Sequence, residues 1–127
     1  WAGAGFFNCN SLNVNYYSAV ATDDGLTTGA IPPGQSLISA TNDGDANHII
    51  TLPVFAAGRT LRIFTTQAFE LRTPDPDNIG INGGTGSGAE SAIAASTIVD
   101  CSCMTTTNWV CTQISNVGAT TAVQVAA

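Results

Sequence analysis

Ser96-Thr97-Ile98-Val99-Asp100-Cys101-Ser102-Cys103-Met104, then Trp109-Val110-Cys111-Thr112-Gln113-Ile114 after a turn through Thr105-Thr106-Thr107-Asn108, is the stretch that decides the fold. Successive side chains of a strand point to opposite faces. The first run therefore presents Val99, Cys101 and Cys103 on one side and Ile98, Asp100 and Ser102 on the other. The two runs read as a β-hairpin. If Cys103 faces Trp109, then Cys101 faces Cys111; a slip by two sets Cys103 against Cys111. Either register puts Cys101, Cys103, Trp109 and Cys111 on one face.

Working back from the hairpin, the same pattern recurs. Arg59-Thr60-Leu61-Arg62-Ile63-Phe64-Thr65 alternates, with Leu61 and Ile63 on one face. Phe69-Glu70-Leu71-Arg72 does likewise. Ser36 to Thr41 and His48 to Leu52 read as strands, the second stopped by Pro53, and Ile79-Gly80-Ile81 as a short one. Thr73 to Asn78 is no central strand, because its two prolines lack ladder donors. Gly83 to Gly88 reads as a loop, and the tail from Gly118 to Ala127 as an edge strand or an extension to a neighbour. Helical periodicity is nearly absent. The expected class is all-β, a β-sandwich or jelly-roll-like domain. Residues 1–36 read as an extended N-terminal arm with one or two short strands, and 37–127 as the core with its C-terminal tail.

Composition bears on function. The chain of 127 residues has three basic residues, one histidine and nine acids, a net charge of −6 and 9% charged residues, against roughly 25% in ordinary soluble domains. Few titratable groups leave little for proton-transfer chemistry. The acidic balance disfavours nucleic acid and anionic membrane surfaces. No apolar run approaches the ~18 residues that span a bilayer. The first residue is Trp1, so the chain is either processed or numbered from inside a longer precursor.

The candidate chemical sites are few. Cys9, Cys101, Cys103 and Cys111 leave three states open: disulfides, with a cross-strand Cys101–Cys111 or Cys103–Cys111 bridge and Cys9 bound to the remaining cysteine to tie the arm to the core; buried thiols; or a zinc site, for which the usual Cys-x2–4-Cys turn is missing. Asp43-x-Asp45-x-Asn47 has the alternation of a calcium loop but lacks its glycine and distal glutamate, so it reads as a hydrophilic turn. Asp75-Pro76-Asp77-Asn78 reads the same way, its side chains bonding local backbone amides. His48 has no nucleophile elbow to serve and reads as a strand-edge residue. Glu70 and Glu90 are the one conceivable glycosidase pair, but a cross-strand charge pair is the simpler reading for Glu70. No catalytic residue, metal ligand or cofactor is assigned. Five of the nine aromatics, Trp1, Phe6, Phe7, Tyr16 and Tyr17, fall in the first seventeen residues. Aromatics are enriched in interface cores, and the arm has too few other apolar residues to fold alone. It is expected to dock on a neighbouring subunit.

Ile49-Ile50-Thr51-Leu52-Pro53, Ala57-Gly58-Arg59-Thr60-Leu61-Arg62-Ile63, Phe69-Glu70-Leu71-Arg72, Asp77-Asn78-Ile79-Gly80-Ile81-Asn82-Gly83, Thr97-Ile98-Val99-Asp100-Cys101 and Thr107-Asn108-Trp109-Val110 together resemble a recurrent module of tailed-phage virion proteins. The module occurs in decoration (cement), head-fibre and tail-fibre proteins. The resemblance covers about half the chain. It implies a β-rich, often trimeric, non-enzymatic structural protein on the outer surface of a virion, with the major capsid protein or other virion subunits as partners. Two other readings remain: an extracellular or cell-surface subunit that polymerises by strand addition, and a carbohydrate-binding fibre module stacking sugars on Trp109, Tyr16 or Tyr17.

Overall fold

Among the described residues, eleven short strands build two facing sheets, as a chain of alternating β-branched residues and turn residues dictates. The computed structural model describes residues 15–54, 56–105 and 107–125. The strands are β1 (Tyr16–Val20), β2 (Leu37–Thr41), β3 (Ile49–Thr51), β4 (Thr60–Thr65), β5 (Phe69–Arg72), β6 (Gly80–Ile81), β7 (Ser91–Ile93), β8 (Thr97–Cys103), β9 (Asn108–Ser115), β10 (Thr120–Ala122) and β11 (Gln124–Val125). The larger sheet runs β1-β2-β4-β8-β9-β10 with β6 also on β9; the smaller runs β11-β7-β5-β3. The protein is an all-β sandwich.

The first half is wound, not meandering. The chain passes from one sheet to the other and back, so that successive visits pair in parallel. β1 pairs with β2, β2 with β4, and β3 with β5 in this way. The register gives a step of 21 residues at Tyr16↔Leu37 and Ile49↔Glu70, and again at the isolated bridge Ala30↔Thr51. One step, Leu37↔Arg62, is 25, because the loop after Pro53 is longer. The second half reverses to antiparallel pairing in β4-β8-β9-β10 and β5-β7-β11.

The core lies between the sheets. Ile38, Ile63, Val99, Phe69, Leu71, Ile93 and Trp109 are at most 2% exposed. β4 alternates exposed and buried, and β8 buried and half-buried, along their whole length, as the sequence pattern requires of strands with one face inward. Of the two registers open to the hairpin, the structure has the first: Cys103 lies opposite Trp109 and Cys101 opposite Cys111.

Both sides of the sandwich are closed by chain passing between the sheets. On one side Ala21 continues β1, Thr22 bridges to Ile49, and Ile31 donates to Thr51. The loop at Gly25 lies so close to β3 that a Cβ there would stand 2.6 Å from Ile49 and Thr51, and its φ is +68°. On the other side the tail runs from β10 in one sheet to β11 in the other, with Val123 buried between. The tail is thus an edge strand in each sheet. Residues from Tyr16 onward are built into the sandwich: β1 is a sheet strand, and Ala19, Ala21 and Ile31 belong to the core. The core therefore starts some twenty residues before Ser36, because paired backbone and small buried side chains replace the alternating larger apolar residues that mark β4 and β8. Trp1, Phe6, Phe7 and Cys9 lie outside the described residues.

Candidate functional site

The strands of the larger sheet turn one face to the core and the other outward. Their register arranges the outward residues in rows across the sheet. One row is Ser18, Ser39, Phe64, Ile98, Ile114 and Thr120; the next is Tyr16, Leu37, Arg62, Asp100, Thr112 and Ala122. Phe64 is 49% exposed and Tyr16 58%, and Val20 and Val110 are exposed beside them. Phe64, Ile98 and Ile114 line an open groove of about 260 Å³ bordered by Thr and Ser side chains. It lies just below the ~300–1,000 Å³ of ligand-enclosing pockets.

The face is nearly free of charge. Among its outward strand positions only Arg62 and Asp100 are ionised, and they neutralise each other. Arg62 Nε and the second guanidinium nitrogen donate to the two Asp100 oxygens at 2.6 and 3.0 Å. That forked pair holds the guanidinium pKa above its usual value. The other eight acids, Asp23, Asp24, Asp43, Asp45, Glu70, Asp75, Asp77 and Glu90, sit elsewhere in the sequence. None of these eight is an outward strand residue of this face.

The acids gather chiefly around the small sheet, where their groups satisfy one another. His48 Nε2 lies 2.8 Å from Asp23 and 3.8 Å from Asp45; Asp43 is 3.0 Å from Nδ1 but off the line a hydrogen bond needs. The strand-edge expectation for His48 holds, with carboxylates as its neighbours. The turn at residues 43–47 uses its oxygens on itself: Asp43 accepts from the Asp45 amide and Asp45 from the Asn47 amide. Asn42 anchors it, donating to Asp45 O and Ala68 O. Among the described residues no group of three or more His, Cys, Asp or Glu is arranged to hold a metal ion. Asp75 accepts from the Asn78 side-chain amide, not from backbone amides, while its own carbonyl takes the amides of Asn78 and Ile79.

Glu70 departs from the expected cross-strand charge pair. It stands opposite Ile49 and Ala92, and Arg72 makes the ion pair instead, 3.4 Å from Glu90. Arg72 also donates to Asp24 O at 2.6 Å. Burial, then a hydrogen bond and repulsion from Glu90, then the charge of Asp45 push the Glu70 carboxyl up to about 7. Two carboxyls in hydrogen-bond contact leave no room for a sugar between them, since glycosidase pairs stand about 5–9.5 Å apart.

The aromatic candidates divide. Tyr16 faces outward on the row beside Leu37 and Arg62, where hydrogen bonds with Ser18 and Ser39 lower its pKa. Tyr17 points the other way and packs on the core. Trp109 is fully buried, so it offers no platform for sugar stacking; its position opposite Cys103 sends its ring inward. Cys101, Cys103 and Cys111 are free and buried on that same inner face. The outward row of Phe64, Ile98 and Ile114 was not singled out from sequence, although the alternation that places Leu61 and Ile63 inside also places Phe64 outside. Comparison with family models, with curated proteins and with solved structures finds no match.

Proposed function

We propose that the protein is a virion structural subunit, a decoration protein that binds the outer surface of an assembled capsid shell as a homotrimer. The single observation that carries this reading is the separation of charge: a broad, neutral, partly apolar sheet face on an otherwise acidic molecule. A face of that kind suits permanent contact between the subunits of the trimer, because it need not strip water from ions. The acidic remainder keeps loaded particles apart in solution. The resemblance of residues 49–114 to phage virion modules supplies the setting, with the major capsid protein as the partner.

The dimensions fit an interface completed by the arm. Six strands about 4.8 Å apart and some five residues long give a face of about 24 by 17 Å, or about 400 Å². A stable interface buries about 800 Å² on each partner. Trp1, Phe6 and Phe7 precede β1 at the edge of this same sheet. Each aromatic brings about 150–250 Å², which makes up the difference. The mechanism is mass action: a subunit that binds only the assembled shell stabilises it by its binding free energy.

The test is mass-spectrometric profiling of density-purified virus particles from cultures that express this chain. The reading expects this chain at a copy number comparable with the shell subunit. Its absence from particles, with recovery as long polymers on cell surfaces, supports the filament reading instead.

A further inference from the structure

Cys101 and Cys111 face each other across β8 and β9, both free and each 1% exposed. The backbone around Cys111 fixes what kind of pair this is. Its N–H donates to Asn82 Oδ1 at 2.8 Å, and its carbonyl accepts from Asn82 Nδ2 and from the Val123 amide. Both peptide groups of Cys111 therefore point away from β8. Cys103 N–H donates to Arg59 O in the direction of β4, and the two-residue period turns the Cys101 peptide the same way. The pair is non-hydrogen-bonded, the geometry in which antiparallel Cα atoms approach to about 4.5 Å and side chains come closest. Disulfides span Cα separations of about 4.4–6.8 Å. Cys103 is set differently, opposite Trp109.

We propose that Cys101 and Cys111 form a cross-strand disulfide when the chain folds in the presence of a low-molecular-weight disulfide, while Cys103 remains a thiol. One cysteine, as thiolate, attacks the small disulfide and releases one small thiol. The second attacks the resulting mixed disulfide and releases the other. Two protein thiols are oxidised to one bond, and one small disulfide is reduced to two thiols. The bond fastens β8 to β9 at the point where Asn82 also ties in the β6 loop and the C-terminal crossing.

Burial sets the timing. It raises the Cys101 thiol well above its usual value, and the neighbouring Cys111 thiol adds to the effect. Little Cys101 thiolate exists in the native state, and with both cysteines 1% exposed no dissolved oxidant reaches the pair. The bond forms during folding, and a chain folded reduced stays reduced. This inference does not depend on the virion reading.

The experiment uses the full chain as Cys9→Ser/Cys103→Ala, whose two remaining thiols are Cys101 and Cys111. It is refolded from denaturant with oxidised glutathione. The expected result is a monomeric chain about 2 mass units lighter, with its thiol titration falling from two to none. The same variant, folded reduced and then given the oxidant natively, is expected to keep both thiols over the same period. In the unaltered chain, sequencing of a chymotryptic digest cut after Trp109 is expected to join Cys111 to Cys101, so that a poorly folding variant does not decide the matter. Two persistent thiols after oxidative refolding, a stable glutathione adduct, or a bridge from Cys111 to Cys103 or Cys9 in the unaltered chain each overturns the proposal. Rapid native oxidation overturns the timing.

Discussion

Replacing Glu70 by Gln should make the protein more stable at pH 8 and leave it nearly unchanged near pH 4.5. Glu70 is 9% exposed and shares a hydrogen bond with Glu90, and its carboxyl is raised from the usual 4.5 to about 7. Between those values the native state holds a proton that the unfolded chain has released. Native stability therefore falls as pH rises through that window and levels off above it. At ~1.4 kcal/mol per pH unit the full effect is about 3 kcal/mol. The Glu90 side chain is 24% exposed, so screening by solvent reduces the expectation to about 1–2 kcal/mol. The glutamine side chain has no proton to lose and still donates to Glu90. Urea unfolding followed by tryptophan fluorescence at several pH values measures the gap between variant and parent. Comparing the two cancels groups such as Asp24, whose pKa is lowered chiefly by the Leu26 amide. A gap that is constant from pH 4.5 to 8, or a variant less stable at pH 8, would refute the reasoning.

Four further outcomes are expected. Phe64→Asp puts a charge in the centre of the neutral face without touching the core; its urea midpoint should match the parent while self-association, read by light scattering, is lost. Deleting residues 1–14 should leave the sandwich folded by circular dichroism but weaken assembly, whereas deleting 1–20 removes β1 with Tyr17 and Ala19 and should unfold it. Gly25→Ala should cost about 2–3 kcal/mol in unfolding free energy, from the 2.6 Å approach to β3 and the positive φ. Trp109→Ala should cost about 3–5 kcal/mol and leave the domain largely unfolded in thermal melts.

The strands that alternate cleanly were legible because one face of each is buried and the other wet. β4, β8 and β9 are of this kind; the cysteines fixed the shared face of the β8–β9 hairpin but left two registers open, and the structure selects between them. β1 was harder to read. Tyr16-Tyr17-Ser18-Ala19-Val20 buries mainly an alanine, a weak apolar signal, and it is held by parallel pairing with a strand 21 residues away. A trace of that spacing exists in the sequence: Ser18-Ala19 recurs as Ser39-Ala40, and Ile31-Pro32 as Leu52-Pro53, each 21 residues on. The site was legible only in part. Low charge pointed to assembly, but the gathering of the acids away from one sheet face depends on which strands adjoin, and that is set by long-range pairing. Glu70 shows the same limit. Its alternation was plain, but its contact with Glu90 arises from the antiparallel pairing of β5 with β7.

The most direct test of the assembly reading is native mass spectrometry of the full chain beside its Phe64→Asp variant. The account predicts a discrete trimer for the parent and a folded monomer for the variant. A parent that is monomeric at micromolar concentration, or a variant that keeps the parent's mass, contradicts it.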